Sequence, residues 1–115
     1  MDQTGNAWNS YESGKSIGRQ GSEQGLIMLD EECSDGARIT LERAGTTASF
    51  AITCGIYGWF FHTRFFGTED SARESYQAMK AELGRIARLV PDEVNFDRGK
   101  TAVIHAIRGF VEQFP

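Results

Sequence analysis

From Gly25 onward, apolar and polar positions alternate in four runs of strand length, GLIMLDEEC, ARITLER, SFAITCGI and WFFHTRFF, each separated from the next by turn-forming residues. Period-two patterning in closely spaced runs predicts an antiparallel meander. The turns assign the faces, because slipping a hairpin by one residue moves a whole apolar set to the other side of the sheet. A three-residue Ser34-Asp35-Gly36 loop with a left-handed Gly36 sets Leu29 opposite Leu41 and keeps Ile27, Ile39 and Arg43 on one face, whereas a two-residue Asp35-Gly36 turn would oppose Leu29 and Glu42. A Gly45-Thr46 turn then places Phe50 opposite Leu41 and Ile52 opposite Ile39. A Tyr57-Gly58 turn pairs Ile56 with Trp59, Cys54 with Phe61 and Phe50 with Phe65. These three choices agree on one inner face, made of Ile27, Leu29, Ile39, Leu41, Phe50, Ile52, Cys54, Ile56, Trp59, Phe61 and Phe65. The rival is a single bent strand from Ser49 to Phe66 with Gly55 and Gly58 as bulges.

After Gly67 the period becomes helical. Ala72, Tyr76, Met79, Leu83, Ile86 and Val90 recur at spacings of four and three, which predicts a helix from Thr68 to Leu89 with one apolar stripe. Glu69 and Asp70 in its first turn and Arg85 and Arg88 near its end suit the helix dipole, and Pro91 stops it. A second helix, from Asp97 or Arg98 to Gln113, gathers Val103, Ile107, Phe110 and Phe114 on one side and Thr101, His105, Arg108 and Glu112 on the other. Gly84 and Gly109 each cost about 1 kcal/mol relative to Ala inside a helix, so they are expected to mark close helix approaches. Residues 1–24, rich in Gly, Ser, Gln and Asn, read as a polar N-terminal arm, flexible or loosely docked through Trp8, Tyr11 and Ile17. Residues 25–115 then form a single α+β domain: a four-stranded antiparallel meander with two C-terminal helices, at least the first packed on one sheet face.

Composition removes several function classes. With 115 residues, 40% hydrophobic and 24% charged, the chain is long enough to bury one core without metals or disulfides. A net charge of −4 opposes phosphate neutralisation and binding to anionic membranes, so neither nucleic acid nor membrane is an expected partner. The stretch MDQTGNAWNSYESGK lacks the basic-then-apolar order of a secretory leader and no run is apolar enough to span a bilayer, so a soluble cytoplasmic protein is expected. Cys33 and Cys54 lack the paired spacing of a zinc site. In the predicted registers they lie two strand spacings of about 4.8 Å apart, beyond the roughly 7 Å Cα limit for a disulfide, and read as reduced core thiols. Ser13-Gly14-Lys15-Ser16 reproduces the end of a phosphate-binding loop, but Asn9 stands where the first glycine belongs and no apolar strand precedes it. Glu31 to Glu42 has Gly36 and Glu42 at calcium-loop offsets, yet Cys33 occupies a ligand position and the flanks read as strands. No cofactor, metal or catalytic motif is expected.

The predicted registers turn Phe60, His62, Arg64 and Phe66 to the outer face. There His62 shares a row with Thr53, Arg38 and Glu32, Arg64 shares one with Ala51, Thr40 and Asp30, and Leu26, Met28 and Phe66 make an apolar corner. Three uses of this face compete. The arm or the second helix covers it; or it is an interface with a second copy or another protein, anchored by aromatics and Arg; or it is a small-molecule or enzymatic site, with His62 as general base, Arg64 or Arg38 as anion clamp and Glu32 or Asp30 as orienting carboxylate. The expected function is a binding or interaction protein, self-associating as a homodimer through this face, with Phe60, His62, Arg64, Phe66, Arg38, Glu32 and Met28 as contact residues. The alternative is a small-molecule-binding or enzymatic domain that uses His62 and Arg64. No nucleophile accompanies them, which favours a protein that is not an enzyme.

Overall fold

A sheet in the order β1-β2-β3-β4-β5 carries two helices on one face in the computed structural model, which describes residues 7–115. The strands are β1 (Trp8–Ser10), β2 (Leu26–Cys33), β3 (Ala37–Arg43), β4 (Phe50–Ile56) and β5 (Phe60–Phe66), and the helices are α1 (Glu69–Ala87) and α2 (Phe96–Gln113). All strand pairs are antiparallel, so the α+β class with two C-terminal helices stands, but the sheet has five strands rather than four. The additional strand is β1, which pairs Trp8 with Cys33, Asn9 with Glu32 and Ser10 with Glu31. Three residues are too few to show a period, so this strand exists through its partner. Residues 1–6 of the expected arm lie outside the described residues. No helix among the described residues is long and apolar enough to cross a membrane.

The three hairpins depart from expectation by increasing consequence. The first has the predicted loop: Gly36 N donates to Cys33 O, Gly36 sits at φ +99°, and Leu29 faces Leu41. The β2 ladder contains a bulge between Ile27 and Leu29, however, so Ile27 lies opposite Glu42 on the outer face rather than with Leu29. The second loop is longer than two residues, because Ala44 N donates to Ser49 O and Thr46 N reaches back to Glu23 O in the arm. Leu41 therefore faces Ile52, a shift of two that keeps every side chain on its predicted face. In the third, Trp59 N donates to Ile56 O, Gly58 takes φ +82°, and the loop becomes Tyr57-Gly58-Trp59. Ile56 now pairs with Phe60 and Cys54 with His62. That shift of one reverses β5: Phe60, His62, Arg64 and Phe66 face the helices, and Phe61, Thr63 and Phe65 face outward. The single bent strand is excluded by the same pairing.

The core lies between the inner sheet face and α1, where Ile39, Leu41 and Ile52 meet Ala72, Tyr76, Met79, Leu83 and Ile86, all fully buried. Each buried aliphatic side chain contributes roughly 1.5–3 kcal/mol of transfer free energy. Thr68 caps α1 by accepting from Ser71 N, and Val103 and Phe110 of α2 close the β5 side of the core. Gly84 is buried in α1, whereas Gly109 of α2 faces open space and marks no close approach. One carboxylate sits on the inner face: Glu31 accepts from Tyr76 Oη at 2.7 Å and pairs with Lys80 Nζ at 2.8 Å. Burial, followed by the bond to Glu31, pushes the Tyr76 phenol far up.

Candidate functional site

The outer face is built from Asp30, Glu32 and the bulge-shifted Ile27 of β2, Arg38, Thr40 and Glu42 of β3, Ala51, Thr53 and Gly55 of β4, and Phe61, Thr63 and Phe65 of β5. Its β2–β3 half carries two buried carboxylates. Asp30 receives Arg38 bidentately, through Nε at 3.0 Å and Nη2 at 2.8 Å, and Ser16 Oγ at 2.8 Å. The Arg38 guanidinium lies 3.5 Å from the centre of the Tyr11 ring, so it is clamped between a carboxylate and an aromatic face. The hydrogen bond to Asp30 raises the Arg38 pKa despite partial burial. Glu42, 1% exposed, accepts through Oε1 from Glu23 N at 3.1 Å and Gly25 N at 2.8 Å. Its Oε2 has no partner among the described residues. Gly21 passes so near that a Cβ there would stand 2.4 Å from Oε2 and would have to displace the Glu42 carboxylate. Residues 16–25 are thus fastened across β2 and β3 by two acids.

The β4–β5 half is open. Phe61 is 76% exposed and Phe65 44% exposed. Between the Phe61 ring and the Gln20–Glu23 segment runs a groove of about 550 Å³, floored by Thr53, Gly55 and Thr63 and ended by Arg38 and Tyr57. A Cβ on Gly55 would fall 2.8 Å from the Phe61 ring, so the missing side chain lets that ring approach the sheet. Hydroxyls line the floor in a chain, with Ser22 Oγ 3.2 Å from Thr53 Oγ1 and Thr53 Oγ1 3.3 Å from Thr63 Oγ1. Tyr57 Oη donates to Glu32 Oε2 at 3.0 Å; burial and then this bond push its phenol up to about 12.

Of the residues singled out from the sequence, Arg38 and Glu32 stand on the outer face, with Arg38 committed to Asp30 and Glu32 to Tyr57. Met28 is the bulge residue of β2 and packs half-buried against the core. The other four lie on the inner face. Phe60 packs edge-on against Phe110 at 5.7 Å, and Phe66 packs against the core with the Arg64 guanidinium 5.1 Å from its ring. His62 Nε2 donates to the Phe114 carbonyl, while Arg64 donates through Nε to Pro115 O at 3.1 Å and through Nη1 to Ser75 Oγ. His62 and Arg64 therefore secure the chain after α2 to the sheet, across the sheet from Asp30, Glu32 and Arg38. The proposed base, clamp and carboxylate do not share a site. The sequence pattern assigns Phe61 and Phe65 to the core and gives Tyr57 and Thr63 no role; the outcome turns on whether the third loop has two residues or three, and Gly58 suits either.

Cys33 and Cys54 are buried free thiols, and burial pushes Cys54 up to about 12. Among the described residues no group of three His, Cys, Asp or Glu side chains is arranged to hold a metal ion. Comparison of the chain with protein-family models, with curated proteins and with solved structures finds no match.

Proposed function

We propose that the protein is a non-enzymatic binding protein that works through its outer sheet face and takes, in the groove beside Phe61, a small ligand with a planar apolar body and one or two hydrogen-bonding groups. The groove itself carries this reading. Its volume of about 550 Å³ falls within the roughly 300–1,000 Å³ of small-molecule sites. Apolar surface from Ile27, Gly55 and Phe61 supplies contact area, and the hydroxyls of Ser22, Thr53, Thr63 and Tyr57 converge on it to fix orientation. Arg38 is already locked by Asp30 and Tyr11, so this wall needs little ordering when a ligand arrives. Binding without chemistry is favoured because the acids of this face are engaged in holding Arg38 and the arm, and the nearest imidazole, His62, points to the other side. Free thiols at both cysteines fit a reducing compartment such as the cytoplasm.

A thermal-shift and NMR screen with planar heteroaromatic fragments tests the proposal. At one hundred times Kd a bound fragment stabilises the fold by about 2.7 kcal/mol. The expected hits move the amide signals of Thr53, Gly55 and Thr63 and lose affinity in Phe61→Ala and Thr53→Val. A screen without stabilising fragments, or hits that bind Phe61→Ala undiminished, would sink it.

A further inference from the structure

We infer that β5 is a dimerisation strand: two copies of this chain pair antiparallel along their β5 edges, about a two-fold axis through Thr63, and join their sheets into one. This goes beyond the groove and does not rest on it. Among the described residues β5 ends the sheet and pairs only with β4, so alternate residues along it turn their backbone N–H and C=O groups away from any described partner strand. An edge that must stay single is normally blunted by short length, a bulge, proline, lysine, an inward-pointing charge or a covering element. Of these β5 carries the inward-pointing Arg64, whose guanidinium is engaged by Pro115 O and Ser75 Oγ. β5 has seven residues in unbroken register and contains neither proline nor lysine. The opposite edge is treated differently, since β1 has three residues and β2 beside it is bulged.

What selects a second copy over another partner is symmetry in the sequence of β5. In FFHTRFF, Phe60 and Phe66, Phe61 and Phe65, and His62 and Arg64 lie at equal distances on either side of Thr63. A two-fold interface requires a surface that complements itself. With Thr63 opposite Thr63 of the second copy, Phe61 falls opposite the second copy's Phe65 on the outer face and Phe60 opposite its Phe66 on the inner face. Aromatic pairs directly across strands are among the favourable ones. Phe61 and Phe65 are also the two most exposed aromatic side chains of the sheet, and the pairing lets each ring cover part of its cross-strand neighbour. His62 and Arg64 do not oppose it through their charges, because each is already directed inward to the chain after α2. The arrangement closes at two copies, as the β1 edge, three residues long among the described residues, offers no comparable strand.

Light scattering of the full chain from micromolar to millimolar concentration tests association, and cysteine placement tests register. The expected mass is twice the 12.8 kDa of one chain. Thr63→Cys is expected to form an inter-chain disulfide under mild oxidation, because residues directly opposite across an antiparallel pair have Cα atoms about 4.5–5.5 Å apart, within disulfide reach. Phe61→Cys and Phe65→Cys are each expected to cross-link weakly alone and efficiently when mixed; Cys33 and Cys54 are buried and do not compete. The double variant Phe61→Lys/Phe65→Lys is expected to be monomeric with an unchanged circular dichroism spectrum. A parent protein that is monomeric at every concentration overturns the inference. So does a dimer in which Thr63→Cys fails to cross-link while the mixed pair shows no preference. Fragment binding by Phe65→Lys, which leaves every groove-lining residue in place, reports on the groove separately.

Discussion

The two halves of the outer face are made from adjacent strands of one sheet yet finish in opposite ways. Over β2 and β3, the acids Asp30 and Glu42 are almost wholly withdrawn from water, at 2% and 1% exposure, beneath residues 16–25. Over β4 and β5, Phe61 and Phe65 stand in water. The difference follows from what each half would have to satisfy. A buried carboxylate demands donors, and the backbone N–H groups of Glu23 and Gly25, the Ser16 hydroxyl and Arg38 provide them in fixed positions. Threonine hydroxyls that bond to one another and phenylalanine rings need no donors in fixed positions, so covering them calls for apolar surface rather than a segment with placed N–H groups. Charge closes one half, and the other keeps its rings exposed.

The largest effect should come from removing the charge that fastens the closed half. Asp30→Ala leaves Arg38 and Ser16 without their shared acceptor, and urea unfolding is expected to show a loss of about 3 kcal/mol, at the low end for a broken buried pair because Arg38 is partly exposed. A loss under 1 kcal/mol would mean that the arm is not held by charge. Next comes Gly25→Ala, whose Cβ would stand 2.4 Å from the Arg43 carbonyl oxygen; a cost of roughly 1–3 kcal/mol is expected, with faster proteolysis at Arg19 as the arm lifts. Unchanged proteolysis would separate the arm from this anchor.

A smaller, graded effect should appear with pH. Cys54 and Tyr57 have folded values pushed up to about 12 from ordinary values of 9 and 10, and Tyr76 is also shifted upward. Below pH 9 these groups hold their protons folded or unfolded and do not bias the equilibrium. As pH rises from 9 towards 12 the unfolded chain releases protons that the folded chain retains, so stability falls. Urea midpoints at pH 8 and pH 10.5 are expected to differ in that direction, and Tyr57→Phe removes only the outer-face share; a flat profile contradicts these shifts. The smallest effect on folding is expected at the open half. Phe61→Ala should change unfolding free energy by less than about 0.5 kcal/mol while weakening association and fragment binding. A larger folding cost would mean that Phe61 supports the monomer.

Much of the architecture was legible because it rests on local repetition. The α1 stripe from Ala72 to Ile86 follows from spacing alone, and the first hairpin from the requirement of Gly36 for positive φ. The candidate site was not legible, for a specific reason. FFHTRFF places phenylalanines on both faces, so its apolar pattern accepts either register, and Gly58 supplies positive φ to a loop of two residues or of three. The symmetry that hid the register is the same property that suits β5 to a second copy of itself.

By itself the sequence determined the class of fold, the order of β2 to β5 and the two helices, and the buried faces of β3, β4, α1 and α2, since periodicity and turn chemistry act within a few residues. Tertiary structure alone decided that β1 exists, that the bulge turns Ile27 outward and that β5 presents Phe61 and Phe65 rather than His62 and Arg64. Those choices depend on partners far along the chain: the Phe114 and Pro115 carbonyls, 52 and 51 positions beyond His62 and Arg64, and the Phe110 ring against Phe60. Two registers with equal local apolar content differ in free energy only through such contacts, and no local pattern encodes them.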